Sequence, residues 1–419
     1  MSKITLAKTF VVSRRKEIRA MIRIRTSRTT DIALNMSWYD EWLSQQLENL
    51  PPLLQHLTVA GESPVAKPQI DRLISAIEEF ILQEDGPTID EIRKHLQNTE
   101  IFERSEENLP AQNVLIFTIL GWRSMIYQAS LNTCSPHYFE IHQASDQLGP
   151  GLVFDTYRMD SFISNRPLWV LMKAFGNTLP TRALNEPTLA SESGKSALNW
   201  VPLYPADTNA YLLTALLGVR IRWVDMLALH LDYDKSTRTL SLFRYPSFCL
   251  QMLSSEKGAI YSFACNARHD VDPRADKEEI AHLLGEVLLS YRLLFAQSAK
   301  SRRIFRQSFR LHSEEGYPID SMLPLLCTRK QLPPVDDLSL PVDKLVYFAS
   351  QDFPILQQRI EIIAKELKDK KPTSIADLIR DRRDTLQFLT FWLVLIFGGI
   401  GTLLSLIQVL LQAVQLIQS

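Results

Sequence analysis

Cysteine is scarce. Cys134, Cys249, Cys265 and Cys327 stand at wide, irregular spacings among 419 residues. Such spacing fits neither a disulfide framework nor a zinc-ribbon ligand set, and it suits a reducing compartment. No segment repeats with a period of about 20 to 50 residues, which excludes solenoids and propellers. The N-terminus has no apolar run of the kind a secretory signal needs. Catalytic signatures are also missing: there is no G-x-S-x-G elbow, no H-E-x-x-H pair and no kinase set.

Three partial matches fall short on their chemistry. Ser193-Gly194-Lys195-Ser196 ends like a phosphate-binding loop, but Leu189 stands where the first glycine must let the backbone wrap a phosphate. Cys134, His137 and His142 give C-x₂-H-x₄-H with no fourth ligand nearby, and a loop cysteine with surface histidines is the simpler account. Ser254-x-x-Lys257 has none of the companion motifs that make such a pair a nucleophile and base. The expectation is therefore no cofactor, no metal and no enzyme. The alternative is an enzyme whose site gathers dispersed residues such as His230, Asp232 and His269.

Charge is absent from one long stretch. Leu386 to Ser419, 34 residues, holds no Asp, Glu, Lys or Arg. Phe388 to Ile407 supplies the roughly 20 apolar residues a helix needs to cross the hydrocarbon layer. Lying at the end of the sequence, this stretch reads as a tail anchor, with a transmembrane segment at 386–411. Lys365, Lys368, Lys370, Lys371, Arg380, Arg382 and Arg383 flank it on the N-terminal side, and no Lys or Arg follows it. The positive-inside bias then puts the preceding region in the cytosol.

Within the anchor Gly398, Gly401, Ser405, Gln408, Gln412 and Gln415 are spaced to fall on one stripe of a helix. Small residues four apart let two helices approach closely in lipid, so the stripe reads as a homo-oligomer surface. Equally, the glutamines read as the place where the helix leaves the hydrocarbon.

The opposite end is basic. Residues 1–35 carry nine Lys and Arg against Glu17 and Asp31, a net of +7, which leaves −8 for the rest of a chain whose net charge is −1. That composition is that of a mitochondrial transit peptide. Met36-Ser-Trp-Tyr-Asp-Glu-Trp42 also looks like a natural start, which makes 1–35 an untidy leader.

The middle, with 46% hydrophobic residues, is an ordinary globular composition. Apolar residues at helical spacing predict helices over 71–83, 89–96, 276–299 and 355–367. The segment 109–131, apolar on nearly all sides, predicts a buried core helix rather than a membrane-touching one. Ala228–Tyr233 and Thr239–Tyr245 predict a β-hairpin about a turn at 234–238. The fold class expected is mainly α with a small β-hairpin element (α+β) and a single C-terminal transmembrane helix. Its organisation is a leader (1–35), a helical region (36–180), a loop or linker (181–208), an α+β region (209–372), a juxtamembrane helix (373–385) and the anchor.

Lys300, Arg302, Arg303, Arg306 and Arg310 form the strongest interior basic run, with Phe305 and Phe309 among them. Beside an anchor, anionic lipid headgroups are a better partner for this run than nucleic acid. The plainer reading is a solvated face at a helix C-terminus, where cations suit the dipole. An unidentified protein partner completes the expected set.

Several runs carry a family likeness: His230-Leu-Asp-Tyr-Asp234, Leu242-Phe-Arg-Tyr-Pro-Ser-Phe-Cys249, Glu286-Val-Leu-Leu-Ser-Tyr-Arg-Leu-Leu-Phe295 with Ser301-Arg302-Arg303, and Arg380-Asp-Arg-Arg-Asp384 before Phe391-Trp392. Together they resemble an uncharacterised group of filamentous-fungal proteins ending in a hydrophobic helix, over roughly residues 70 to 415. The resemblance implies no defined activity. It implies at most an accessory role beside secondary-metabolite biosynthesis, and the basic leader departs from the pattern.

Overall fold

A computed structural model describes residues 36–57, 67–84, 86–131, 135–142, 156–175, 201–255, 257–264, 277–314, 316–328, 341–370 and 385–418. The basic leader, the Ser-Gly-Lys-Ser run, Cys134, His269 and nearly all of the expected juxtamembrane helix lie outside these residues. The described chain is mainly helical with three small sheets and a long apolar C-terminal helix, the α+β class expected.

Helix α1 (Ser37–Glu48) is anchored by its aromatics: Trp38, Tyr39, Trp42 and Leu43 are buried. Helices α2 (Lys67–Gln83) and α3 (Ile89–Asn98) follow. A capping box opens α3: the Thr88 hydroxyl accepts the Glu91 amide N–H, and the Glu91 carboxylate accepts the Thr88 N–H. Helix α4 (Leu109–Ser124) is the core helix that its all-round apolar character predicts. From Ala111 onward it is buried on every face except at Arg123, which pairs with Glu78 and lies over the Tyr39 ring. Gly121 is required there, because a Cβ would stand 2.8 Å from the Tyr127 ring.

Next come an antiparallel pair, β1 (Tyr138–His142) and β2 (Thr156–Asp160), then α5 (Leu168–Ala174), β3 (Pro202–Leu203) and α6 (Ala210–Leu216). The pair β1–β2 was not expected, since only five residues on each side carry its signal. The central sheet also differs from the expected hairpin. Strand β4 (Arg220–Val224) runs parallel to β6 (Thr239–Phe243) in the register Arg220↔Thr239 to Val224↔Phe243. Antiparallel to β6, β5 (Tyr233–Asp234) makes only two residue pairs. The hairpin is thus real but short. Leu227–Leu229 forms a 3₁₀ turn, and Leu231 adopts φ +60°. All five residues of β6 are buried, so both faces of this central strand are covered by other parts of the chain.

From β6 the chain enters α7 (Pro246–Ser255) and α8 (Lys277–Tyr291). The single helix expected over 276–299 instead ends in a π-turn, Arg292–Ala296, and a new helix, α9, runs Ala299–Glu314. Then come α10 (Met322–Thr328), β7 (Tyr347–Phe348, paired with β3) and α11 (Gln357–Asp369). The start of α11 is capped from within the core. The Glu286 carboxylate on α8 accepts the amide N–H groups of Ile355 and Leu356 at 3.0 and 2.7 Å. Last is α12 (Thr385–Gln418).

Candidate functional site

The C-terminal helix sets the first constraint. Leu389–Gln412, 24 residues, is long and apolar enough to cross a membrane, and none of its most apolar window is buried against the rest of the chain. Helix α4 is the instructive contrast, apolar over most of its length yet enclosed by protein. At 1.5 Å per residue α12 is about 51 Å long, more than the hydrocarbon layer of about 30 Å.

The stripe residues Gly398, Gly401, Ser405, Gln408, Gln412 and Gln415 all lie on α12 and are all exposed. The Thr402 hydroxyl donates to Gly398 O at 2.7 Å, and the Ser405 hydroxyl to Gly401 O at 2.9 Å. These two hydroxyls need no outside partner to enter an apolar medium. A Cβ at Gly398 or Gly401 would meet nothing within 4 Å, so that face is open to another backbone.

The basic run forms a helix, but at its start. Lys300, Arg302 and Arg303 lie in the first turn and a half of α9, where the helix dipole disfavours cations; the C-terminal placement expected from the sequence is corrected. Other contacts compensate. The Arg302 Nη1 donates to the carbonyl of Ala296 at the end of the π-turn, and Lys300 lies 4.4 Å from the Tyr211 ring centroid. Phe305 is buried and Phe309 half-buried, so α9 is amphipathic, with Lys300, Arg303, Arg306 and Arg310 on its exposed side.

His230 shows what a dispersed site would have to work with. It is wholly buried; its Nε2 is 2.7 Å from the Ser290 hydroxyl, which resembles a nucleophile and base. The partners of the two groups set the opposite polarity. Nδ1 accepts the Phe243 N–H at 3.1 Å, so the ring proton sits on Nε2, and Ser290 passes its own hydrogen to Val287 O at 2.7 Å. An Nε2 that donates cannot take the serine's proton. The pair is a structural clamp, and Arg359 closes it by donating to the carbonyls of Ala228 and His230.

Burial, helped by Arg359, lowers the His230 pKa from 6.5 to about 3. Below about 6.5 the unfolded chain takes up a proton that the fold refuses. Stability from this group is whole above that pH and is lost on acidification, by about 1.4 kcal/mol per unit. Asp320 works in the opposite sense. Burial lifts its carboxyl from 3.8 to about 6, against the pull of the Ser247 and Met322 amides, so its contribution is lost as pH rises through that window. Asp320→Asn removes the opposing slope. Urea midpoints of the variant should fall more steeply than the parent's between about pH 6 and 4, and equal slopes would contradict these assignments.

A second buried polar group, which motif reasoning missed, sits where β4 and β6 end. Arg244 Nε stands 2.6 Å from Asp225 Oδ1, and the Trp42 indole donates to Asp225 Oδ2 at 2.9 Å. The Arg244 guanidinium lies 4.2 Å from the Tyr317 ring centroid. Cys249 and Cys327 are buried free thiols whose pKa values burial pushes well up, so neither is a ready nucleophile. Among the described residues no group of His, Cys, Asp and Glu is arranged to hold a metal ion. The chain matches no family model, no curated protein and no solved structure.

Proposed function

We propose that this is a single-pass, tail-anchored membrane protein whose globular region faces the cytosol and acts as an interaction or accessory protein. The carrying observation is the contrast between two apolar helices. One, α4, is enclosed by protein from Ala111 onward except at Arg123, whereas the Leu389–Gln412 span of α12 exposes a long apolar surface that water would penalise. Self-association through the Gly398–Gln415 stripe belongs to the same reading, supported by the open faces of Gly398 and Gly401. The orientation rests on the seven Lys and Arg between 365 and 383 against none after the span.

Protease treatment of intact membranes tests the orientation, with an epitope at each end of the full chain. The N-terminal epitope and globular region should be digested, leaving a short protected fragment with the C-terminal epitope. A protected globular region would reverse the orientation.

A further inference from the structure

Residues 341–348 form a loop and short strand that is held firmly yet presents apolar side chains outward. Arg292, 1% exposed, grips the loop from the π-turn with two bonds of 2.8 Å to the Asp343 carboxylate. The Gln297 amide donates to Lys344 O at 3.1 Å and to the Tyr347 hydroxyl at 3.0 Å, and Lys344 pairs with Asp352. Between and beside these clamps Leu345 is 90% exposed and Val342 66%. A lone exposed leucine means little. Here two apolar tips stand on a pinned loop, and Gln297, which holds that loop, lies two residues before α9. Gln297 thus ties the loop to the segment that opens the basic helix, whose exposed residues include Lys300, Arg303 and Arg306. The acidic residues of the loop corner, Asp343 and Asp352, are each spent on a cation, so they do not cancel that face.

Apolar tips beside a cationic helix are what a bilayer interface with anionic headgroups accepts, the tips entering the headgroup boundary while the cations meet phosphate. We propose that this corner, Val342 and Leu345 with the Lys300–Arg306 face of α9, is a second and reversible contact with the bilayer that α12 crosses. It holds the globular region down on an anionic cytosolic leaflet. The proposal rests on the anchor reading and extends it. Tethering makes a weak patch sufficient, because the anchor already holds the corner at high effective concentration near its target. Each removed cation should weaken the contact about fivefold, and Leu345→Asp about tenfold or more.

The test uses the full chain in lipid nanodiscs of phosphatidylcholine, with or without phosphatidylserine. An environment-sensitive fluorophore is placed at Leu345→Cys after Cys134 and Cys265 are changed to serine. With phosphatidylserine the label should be quenched by headgroup spin-labelled lipid and shielded from aqueous iodide. Arg303→Glu with Arg306→Glu should abolish both effects while the chain stays in the disc. A label open to iodide in both lipids, in a chain retained by the disc, overturns this proposal alone. Shielding that depends on two copies per disc and not on lipid charge gives the surface to a second copy and also overturns it. Loss of the chain from the disc overturns the anchor reading, and this one with it.

Discussion

Trp38→Ala should cost the globular region about 3 to 5 kcal/mol, the usual range for emptying the site of a large buried aromatic. Trp38 is 2% exposed, although it is the second residue of its helix. Its ring stacks on Tyr245 with centroids 3.8 Å apart and planes 5° from parallel. Its indole N–H donates to the Ser247 hydroxyl at 2.8 Å. Both contacts span more than 200 residues of sequence, so they fasten α1 to the junction of β6 and α7. Trp38→Phe keeps most of the stacking and loses the donor, leaving Ser247 to Met36 and Asp320, and should cost only about 1 to 2 kcal/mol. Urea unfolding of the two variants measures the difference. Equal, small losses would show that α1 is an appendage and not part of the core.

Arg292→Ala should be the next most damaging change, at about 3 kcal/mol. The guanidinium is buried and bonds the Leu326 carbonyl at 2.9 Å as well as both Asp343 oxygens. Removing one partner of a buried pair typically costs about 3 to 5 kcal/mol; the lower end applies because Asp343, 31% exposed, can recover water. Arg292→Lys keeps the charge but not the two-pronged geometry, and should recover less than half of the loss. The local sign is distinctive. The Lys344 amide, which donates to the Tyr347 hydroxyl at 3.2 Å, should exchange with deuterium faster in the alanine variant under native conditions. Unchanged exchange there would mean that the loop is held without Arg292.

These two residues mark what the sequence could and could not disclose. Trp38 lies in a run read as a natural start, but nothing local shows that its ring reaches Tyr245. Arg292 sits inside Tyr-Arg-Leu-Leu-Phe, where apolar periodicity places its neighbours in the core and has no means of showing that the arginine follows them. Glu286 is hidden for the same reason. Helices α2, α3, α8 and α11 were legible because their apolar spacing is a property of one segment, and α4 because apolar character on nearly all sides is local too. Strand β4 was not, since Arg-Ile-Arg-Trp-Val is short and a parallel partner about twenty residues away leaves no turn signature. Reading α8 and the start of α9 as one helix put the basic run at the wrong end of the dipole. His230 could be named from sequence, but not the Phe243 amide that fixes its tautomer. The tail was plain from sequence because length and lack of charge are local.

The most direct measurement compares the full chain with one ended after Pro372, each followed by microscopy and alkaline carbonate extraction. The account predicts that the full chain resists extraction and marks an internal membrane, and that the shortened chain is released into the soluble fraction. Resistance of the shortened chain on the same membrane would contradict it, moving the anchoring to the globular region or the basic leader and leaving α12 as a packing helix.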